Sequence, residues 1–201
     1  MVGTHGKGKI ILFCLFLLFV NCKKKPIDNK VKQNKYTYTG LKEGDLVCRL
    51  GDGFFSNYFR EYASKEKIYS HIGLIAIEKN VPCVYHSEAS ELTGVGGIKK
   101  ETLVEFLKGI DTYSFFRINL SKESCKKLID HADFYLKKQV KFDLKLESDD
   151  EELYCSEFVA TCINKTAKKE IIKPKLKYRN RFIYALDDIY LSKNVSKLNS
   201  Y

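Results

Sequence analysis

The run 71-HIGLIAI-77 constrains the fold more than any other stretch, because every residue after the histidine is apolar or glycine. A run of this length bounded by polar residues is typical of a strand buried on both faces of a sheet. A second strand is predicted at 83-CVYHSE-88, and 78-EKNVP-82 has the length of a hairpin loop. The sequence therefore predicts a central antiparallel hairpin that other elements cover.

The remaining elements follow from the same patterns. Ser121 can cap a long helix over residues 121–138, and residues 155–165 form another helix. Helices alternate with strands around an antiparallel hairpin, so we predict an α+β fold. The other predicted elements are strands at 44–51 and 112–118, helices at 54–64 and 101–109, a loop at Gly94, Gly96 and Gly97, and a last helix or extended packing segment at 181–191.

Five aromatic side chains recur at helical spacing in 54-FFSNYFREYAS-64. Aromatic residues at this spacing usually face a protein core rather than a ligand. We therefore expect this helix to pack into the core, and lining of a cleft is the alternative. The five residues are Phe54, Phe55, Tyr58, Phe59 and Tyr62.

The N-terminus has the pattern of a bacterial export signal. Two lysines precede 10-IILFCLFLLFV-20, an apolar run too short to span a bilayer comfortably. The segment 18-LFVNC-22 resembles a lipobox, which implies cleavage before Cys22 and lipidation of its thiol. The alternatives are a retained N-terminal anchor and a soluble exported protein. We predict a signal peptide over 1–21, a lipidated Cys22 with a flexible basic linker over 22–40, and one domain over 41–201.

Charge narrows the choice of partners. Removing residues 1–21, which hold two lysines and no acid, lowers the net charge from +10 to +8. The chain has neither a Gly-rich phosphate loop nor regular basic–aromatic interleaving, so nucleic acid is not an expected partner. We expect a monomer held on the membrane by its lipid anchor, in the bacterial cell envelope outside the cytoplasm (periplasmic or outer membrane), where the basic charge favours an anionic surface.

Five of the seven cysteines follow Cys22, without a CxxC pair. An odd number without close pairs does not predict a dense disulfide framework, and at least one thiol stays free. Cys83, Cys125 and Cys162 lie among apolar residues and are typical of a core. Cys155 differs because it stands at a helix start, in 152-ELYCSEFVATCI-163.

A thiol at a helix N-terminus is placed for chemistry. The unpaired N–H groups there stabilise a thiolate and lower its pKa. The same groups, here the backbone N–H of Cys155 and Ser156, can also hold an oxyanion. A buried core thiol is the alternative interpretation of Cys155.

Such a nucleophile needs a base, and His71 and His86 on the hairpin are the candidates. His5 is removed with the signal, and His131 points away from the apolar stripe of its helix. The two hairpin histidines face each other if the turn centres near Glu78–Lys79, and lie diagonally if the centre moves toward Asn80. One can act as base while a polar group, such as Glu88 on the face of His86, orients its ring. Zinc bound by Cys155, His71 and His86 is a weaker alternative, because no metal-ligand spacing supports it.

Three segments together resemble the circularly permuted NlpC-type papain-like enzymes of the YiiX/YaeF kind. They are 44-GDLVCRLGDGFFS-56, 70-SHIGLIAIEKNVPCVYHSEA-89 and 142-FDLKLESDDEELYCSEFV-159. His71 precedes Cys155, as the permuted branch requires, and the resemblance covers roughly residues 40–192. Two positions depart from the family pattern: Lys141-Phe142 replaces Pro-Tyr before Asp143, and Gln139 stands where glycine is usual.

The resemblance implies a permuted papain-like catalytic domain over 41–201, with a mostly antiparallel sheet packed by helices. It assigns Cys155 as nucleophile, His71 as base and His86 as the orienting residue, with Glu88 as the alternative third residue. The implied activity is that of a cysteine hydrolase, an amidase, peptidase or acyl-ester hydrolase, acting on cell-wall peptides or acyl-lipids without a metal or organic cofactor. The rival hypotheses are a non-catalytic lipid- or peptide-binding lipoprotein on the same fold and a structural envelope lipoprotein.

Overall fold

The computed structural model describes residue 3, residues 40–147 and residues 151–198. Apart from Gly3, the described residues belong to one compact unit. The predicted signal peptide, Cys22 and the linker lie outside the described residues, except for Gly3 and Gly40, and they stay predictions. Among the described residues, no helix has the length and hydrophobicity that crossing a membrane requires.

Eight strands make two sheets in the described domain. Antiparallel pairing joins six of them in the order β4-β3-β2-β1-β5-β8, and β6 and β7 form a separate hairpin. The strands are β1 (Leu46–Arg49), β2 (His71–Glu78), β3 (Val81–Ala89), β4 (Gly96–Thr102), β5 (Tyr113–Ile118), β6 (Leu176–Tyr178), β7 (Arg181–Ile183) and β8 (Val195–Lys197).

Five helices accompany these sheets in the described residues, and α3 and α4 cover the large sheet. Leu74 of β2, Leu128 of α3 and Phe158 of α4 are fully buried in one apolar cluster. The predicted cap is confirmed, because the Ser121 hydroxyl accepts a bond of 3.2 Å from the N–H of Ser124. The helices are α1 (Phe54–Glu61), α2 (Leu103–Phe106), α3 (Lys122–Lys137), α4 (Cys155–Ala167) and α5 (Leu186–Tyr190).

The α+β prediction is confirmed, but the loop predicted at Gly96 and Gly97 is wrong, because β4 begins there. A Cβ on Gly96 would lie 2.0 Å from the carbonyl oxygen of Glu88, and one on Gly97 would lie 2.4 Å from that of Val140. These glycines therefore permit close backbone approach rather than a turn. The segment predicted at 181–191 divides into β7 and α5.

Helix α1 only partly follows the expected burial of its aromatic residues. Phe59 is buried, whereas Phe54 is 75% exposed and Tyr58 is 36% exposed. The core-facing prediction is wrong for these two residues. The reason is the position of α1 at the surface, beside a cavity that Phe55 and Phe59 line.

Candidate active site

A cavity of about 250 Å³ opens where β1 ends and β2 begins. His71 and Cys155 both line it, although 84 positions of chain separate them. Glu88 and Arg49 also line it, and the other polar residues of the lining are Ser56, Ser70, Ser90 and Glu91. The fold thus brings the predicted nucleophile and the predicted base into one cleft.

The hairpin turn sets the register of the two histidines. Glu78 pairs with Val81, and Lys79 and Asn80 between them take φ values of 49° and 66°, as a two-residue hairpin turn requires. Leu74 pairs with Tyr85, and the same register continued places Glu88 opposite His71. The histidines are therefore diagonal, which is the second of the two arrangements expected.

The two imidazole rings nevertheless meet. Nε2 of His71 and Nδ1 of His86 lie 2.8 Å apart, and both rings pack on Phe106 of α2, at centroid distances of 5.6 and 4.9 Å. Gly73 leaves the space that this arrangement needs, since a Cβ there would lie 2.4 Å from Cγ1 of Val84 and 3.3 Å from Cβ of His86. His86 is thus in direct contact with the ring of His71.

Glu101 of β4 extends this pair into a chain of three side chains. Its Oε1 lies 3.1 Å from Nε2 of His86, which is fully buried. The pKa of Glu101 is lowered, chiefly by its bond to His86, so it is an ionised carboxylate that only accepts. His86 must then carry its proton on Nε2 and accept at Nδ1, and His71 must donate from Nε2. Nδ1 of His71 is consequently unprotonated and can take a proton.

Glu88, the alternative third residue, is held by cations. Its carboxylate pairs with Arg49 and with Lys99, and Oε1 lies 4.0 Å from Nε2 of His71. That separation is too long for a hydrogen bond. Glu88 therefore neutralises positive charge beside the site, and His86 contacts the ring of His71.

Burial dominates the chemistry of the Cys155 thiol. Burial raises its pKa to about 12, while N–H groups of Ser156, Ile72 and Cys155 itself and the Ser156 hydroxyl oppose the rise. The helix start supplies the expected N–H donors, but the expectation of a lowered pKa is wrong because desolvation outweighs them. The bond from Ile72 also ties the sulfur to the residue after His71.

His71 is a neutral imidazole at pH 7. Its pKa lies well below 6.5, because burial disfavours the charged form, and the neighbouring His86 and the cations Arg49 and Lys99 disfavour it further. The resting site therefore holds a thiol and a neutral base rather than a preformed ion pair. The proton therefore moves between them during the reaction itself.

The start of α4 is fixed by three hydrogen bonds to neighbouring elements. The Ser87 hydroxyl donates to the carbonyl of Leu153 over 2.6 Å, and the Ser156 hydroxyl donates to the carbonyl of Tyr184 over 2.7 Å. The N–H of Tyr184 donates to the Tyr154 hydroxyl, also over 2.7 Å. Tyr154 is the N-cap but offers no side-chain cap, so the first N–H groups of α4 stay available to the sulfur and to an oxyanion.

One group of side chains among the described residues has the composition of a metal site. Potential ligand atoms of His71, His86 and Glu88 lie within 4.8 Å of one another. Two histidines and a carboxylate are a donor set that zinc accepts. Binding would require the hydrogen bond between the histidines to open and Glu88 to loosen its pairs with Arg49 and Lys99.

Fold and cleft together define a papain-like protein in which the histidine strand precedes the cysteine helix. The chain belongs to the family described as permuted papain-like amidase enzyme, YaeF/YiiX, C92 family, whose model matches residues 40–195. The structure is also similar to the crystal structure of the metalloprotein yiiX from Escherichia coli O157:H7, with a TM-score of 0.65 and 17% identity over 80% of this chain and 97% of that one. A search of curated proteins found no significant match.

Sequence reasoning missed Glu101 and Arg49. Residues 101–109 were predicted to be a helix, so Glu101 was not placed on a strand next to His86. The available signal was the alternation of Lys99 and Glu101 after Gly97, which puts both on one face of β4. The glycines concealed it, because they favoured a loop.

Proposed function

We propose that the chain is a cysteine hydrolase of the cell envelope, with Cys155 as nucleophile, His71 as base and His86 as orienting residue. The papain-like amidase family supports the reaction class. The observation that carries the residue assignment is the chain from Glu101 through His86 to His71, because it leaves Nδ1 of His71 free to accept a proton. His71 and Cys155 share the cavity in which that proton would move.

The first half of the reaction forms an acyl-enzyme. Nδ1 of His71 takes the thiol proton as the sulfur of Cys155 bonds to the substrate carbonyl carbon, and the carbonyl oxygen becomes an oxyanion. The N–H groups of Cys155 and Ser156 donate to that oxyanion. The carbon–nitrogen or carbon–oxygen bond then breaks, and His71 returns the proton to the leaving amine or alcohol.

Water completes the second half. It gives a proton to His71 as its oxygen bonds to the thioester carbon, the carbon–sulfur bond breaks, and the thiolate recovers the proton. The products are a carboxylic acid and the free enzyme. His86, held by Glu101, stabilises the imidazolium that exists during each half. The substrate is a cell-wall peptide or an acyl-lipid, and a lipidated Cys22 would hold a monomeric domain at the membrane.

An active-site thiol probe tests this assignment. An electrophilic amide or ester analogue should label Cys155 in the full chain, and Cys155→Ser and His71→Ala should each abolish labelling. Cys125→Ser is the matched control, because Cys125 is a half-buried thiol that does not line the cavity. Labelling of Cys155 that persists in His71→Ala would contradict the proposal and favour the non-catalytic binding lipoprotein.

The cluster of His71, His86 and Glu88 supports a second candidate, a metal-holding form of the same site. A structurally similar protein is called a metalloprotein in its title. Zinc held by these three side chains would supply a Lewis acid and would engage the ring that otherwise serves as base. Equilibrium dialysis with zinc distinguishes the metal-holding form from the metal-free hydrolase. The metal-holding form would be supported if the purified chain binds zinc tightly and Glu88→Gln loses this binding while it retains probe labelling.

A further inference from the structure

A second cavity, of about 590 Å³, opens at the end of the large sheet opposite the cavity that holds Cys155. Strand β1 ends at Arg49 in the Cys155 cavity, whereas Asp45, just before its first residue, lines the second cavity. The neighbouring strands β2 and β5 contribute Ile77 and Ile118 from their far ends. Among the described residues the two cavities share no lining residue, and the second has a volume typical of ligand pockets.

A hydrogen-bonded ion pair forms part of the wall of the second cavity. Arg117 donates from Nε and Nη2 to the two carboxylate oxygens of Asp45, over 2.8 and 2.7 Å, and Asp45 is buried. Nη2 of Arg117 also donates to the carbonyl of Gly40 over 2.7 Å. These bonds fix the guanidinium in one orientation, and the charges of Arg117 and Asp45 neutralise each other.

The remaining charge of the second cavity comes from three lysines of its lining: Lys42, Lys122 and Lys126. Within the described residues, no salt bridge engages any of the three. Glu43 is the one acid of the lining left to oppose them, because Asp45 is paired with Arg117. Four cations and two acids thus leave the lining with a net charge of +2.

Two of these lysines occupy electrostatically unfavourable positions on α3. Lys122 and Lys126 are four residues apart and lie on one face of the helix, so their like charges repel. Lys122 is also in the first turn, where the helix dipole disfavours a cation. Lys127 and Lys137, by contrast, each pair with an acid one turn earlier on the same helix. The two lysines of the second cavity therefore carry charge that a bound anion would neutralise.

The rest of the lining is apolar. Ile77, Ile118 and Leu120 come from the strand ends and the connection to α3, and Cys125 comes from α3 itself. Gly44 permits close approach of the chain before β1 to this helix, because a Cβ there would lie 2.9 Å from Sγ of Cys125. Burial raises the pKa of Cys125, and nearby carboxylates add to the rise, so its neutral thiol belongs to the apolar surface. A ligand that fits both parts has an anionic head and an apolar body.

We propose that the second cavity binds a phosphate monoester joined to an apolar group, with the phosphate among the three lysines and the apolar group over the isoleucines. A phosphate monoester carries a charge of about −1.5 to −2 at pH 7 and three terminal acceptor oxygens, which matches the lining better than a carboxylate does. A lipid with a terminal phosphate and a soluble alkyl phosphate both have this chemistry. This binding site is separate from the catalytic residues and does not depend on the proposed hydrolase activity.

Isothermal titration calorimetry on the full chain tests the site with three probes: dihexanoyl phosphatidate, hexyl phosphate and inorganic phosphate. At least one organic phosphate should bind roughly tenfold tighter than inorganic phosphate, because its apolar group is buried. Tighter binding of phosphatidate than of hexyl phosphate would support a lipid ligand, and the reverse order would support a soluble alkyl phosphate. Cys155→Ser should bind the same probe unchanged.

A pair of double variants tests the role of the lysines. Lys122→Gln, Lys126→Gln should weaken binding of the tighter organic phosphate about tenfold or more, because two charge-assisted contacts are lost. Lys127→Gln, Lys137→Gln removes the same charge from the same helix at residues that do not line the second cavity, so binding should stay within about twofold. Equal weakening in the two double variants would overturn the site.

Alkylation of Cys125 gives an independent measurement on the unmutated chain. At about ten times its Kd, the tighter organic phosphate should slow the reaction of iodoacetamide with Cys125 roughly tenfold and leave probe labelling of Cys155 unchanged. Unchanged alkylation of Cys125 at that concentration would overturn the assignment. Equally tight binding of dihexanoyl phosphatidylglycerol, a phosphodiester with a single negative charge, would overturn the preference for a monoester.

Discussion

Nε2 of His71 lies 2.8 Å from Nδ1 of His86, across two strands and in a diagonal register. Because Glu101 accepts from the other nitrogen of His86, the direction of both protons follows from one ionised carboxylate. Three residues on three adjacent strands thus determine which nitrogen of His71 is basic.

Glu101 should act as a positioning residue. In Glu101→Gln the amide can donate as well as accept, so His86 no longer has one enforced tautomer. We expect kcat to fall by roughly 10- to 100-fold with KM nearly unchanged, as for loss of part of a general-base interaction. Steady-state kinetics on a short ester measures this.

Two variants control that experiment. Glu105→Gln changes an exposed glutamate on α2 and should leave kcat unchanged, while Glu101→Asp keeps a carboxylate and should retain more activity than Glu101→Gln. A melting-temperature loss in Glu101→Gln with unchanged kcat would show that Glu101 serves stability alone.

The pH dependence of kcat/KM should report the lowered pKa of His71, the proposed base. The pKa of His71 lies well below 6.5, so the acidic limb of kcat/KM should fall below pH 6.5. Lys99 contributes to the lowering because a nearby cation disfavours imidazolium. In Lys99→Gln the pKa of His71 should rise, and the acidic limb should move to higher pH. Lys100→Gln, which removes a lysine paired with Glu78, should leave the acidic limb where it is. A shift of the acidic limb toward lower pH in Lys99→Gln would contradict the assignment of His71 as base.

Gly73 should be intolerant of any side chain. In Gly73→Ala the new Cβ would meet Cγ1 of Val84 at 2.4 Å and the carbonyl oxygen of Tyr85 at 3.0 Å, so β2 and β3 must separate next to His86. We expect a loss of about 2 kcal/mol in the free energy of unfolding and a lower kcat. Urea denaturation measures the first and steady-state kinetics the second.

Removing the methyl groups of Val84 tests directly whether this clash causes the loss of stability. Gly73→Ala with Val84→Ala should be less destabilised than the sum of the single variants, because the Cγ1 clash is gone. Additive losses would show that the clash with Val84 is not the cause.

Asp187 should hold the segment that leads into β2. Its buried carboxylate accepts from the backbone N–H groups of Ser64, Lys65 and Glu66, the first at 2.9 Å and the last at 3.0 Å. Asp187→Ala leaves three donors without this acceptor, and we expect a loss of roughly 3 kcal/mol in the free energy of unfolding. Asp187→Asn keeps one acceptor oxygen and should lose less free energy of unfolding. Equal stability of Asp187→Ala and the wild-type chain would refute the anchoring role.

Local patterns were sufficient for much of the architecture. The structure contains three predicted features: the buried strand at 71–77, the hairpin and the Ser121-capped helix. They could be predicted because burial of a strand on both faces and capping of a helix each produce a recognisable pattern in neighbouring residues. Gln139 was noted where the family usually has glycine, and it takes a φ of 53°, a conformation that glycine adopts without strain. The strand β4 was missed because its glycines, which serve close packing, favoured a loop and concealed the alternation of Lys99 and Glu101.

The sequence by itself determined the α+β class, the hairpin that carries both histidines, and the helix that begins at Cys155. Only the tertiary structure decided that Glu101 orients His86, that Glu88 is held by cations, and that burial raises the thiol pKa despite its place at a helix start. The physical reason is the separation along the chain over which each effect acts. Periodicity, capping and turn geometry depend on residues a few positions apart, whereas ion pairing and desolvation depend on which distant segments the fold packs together.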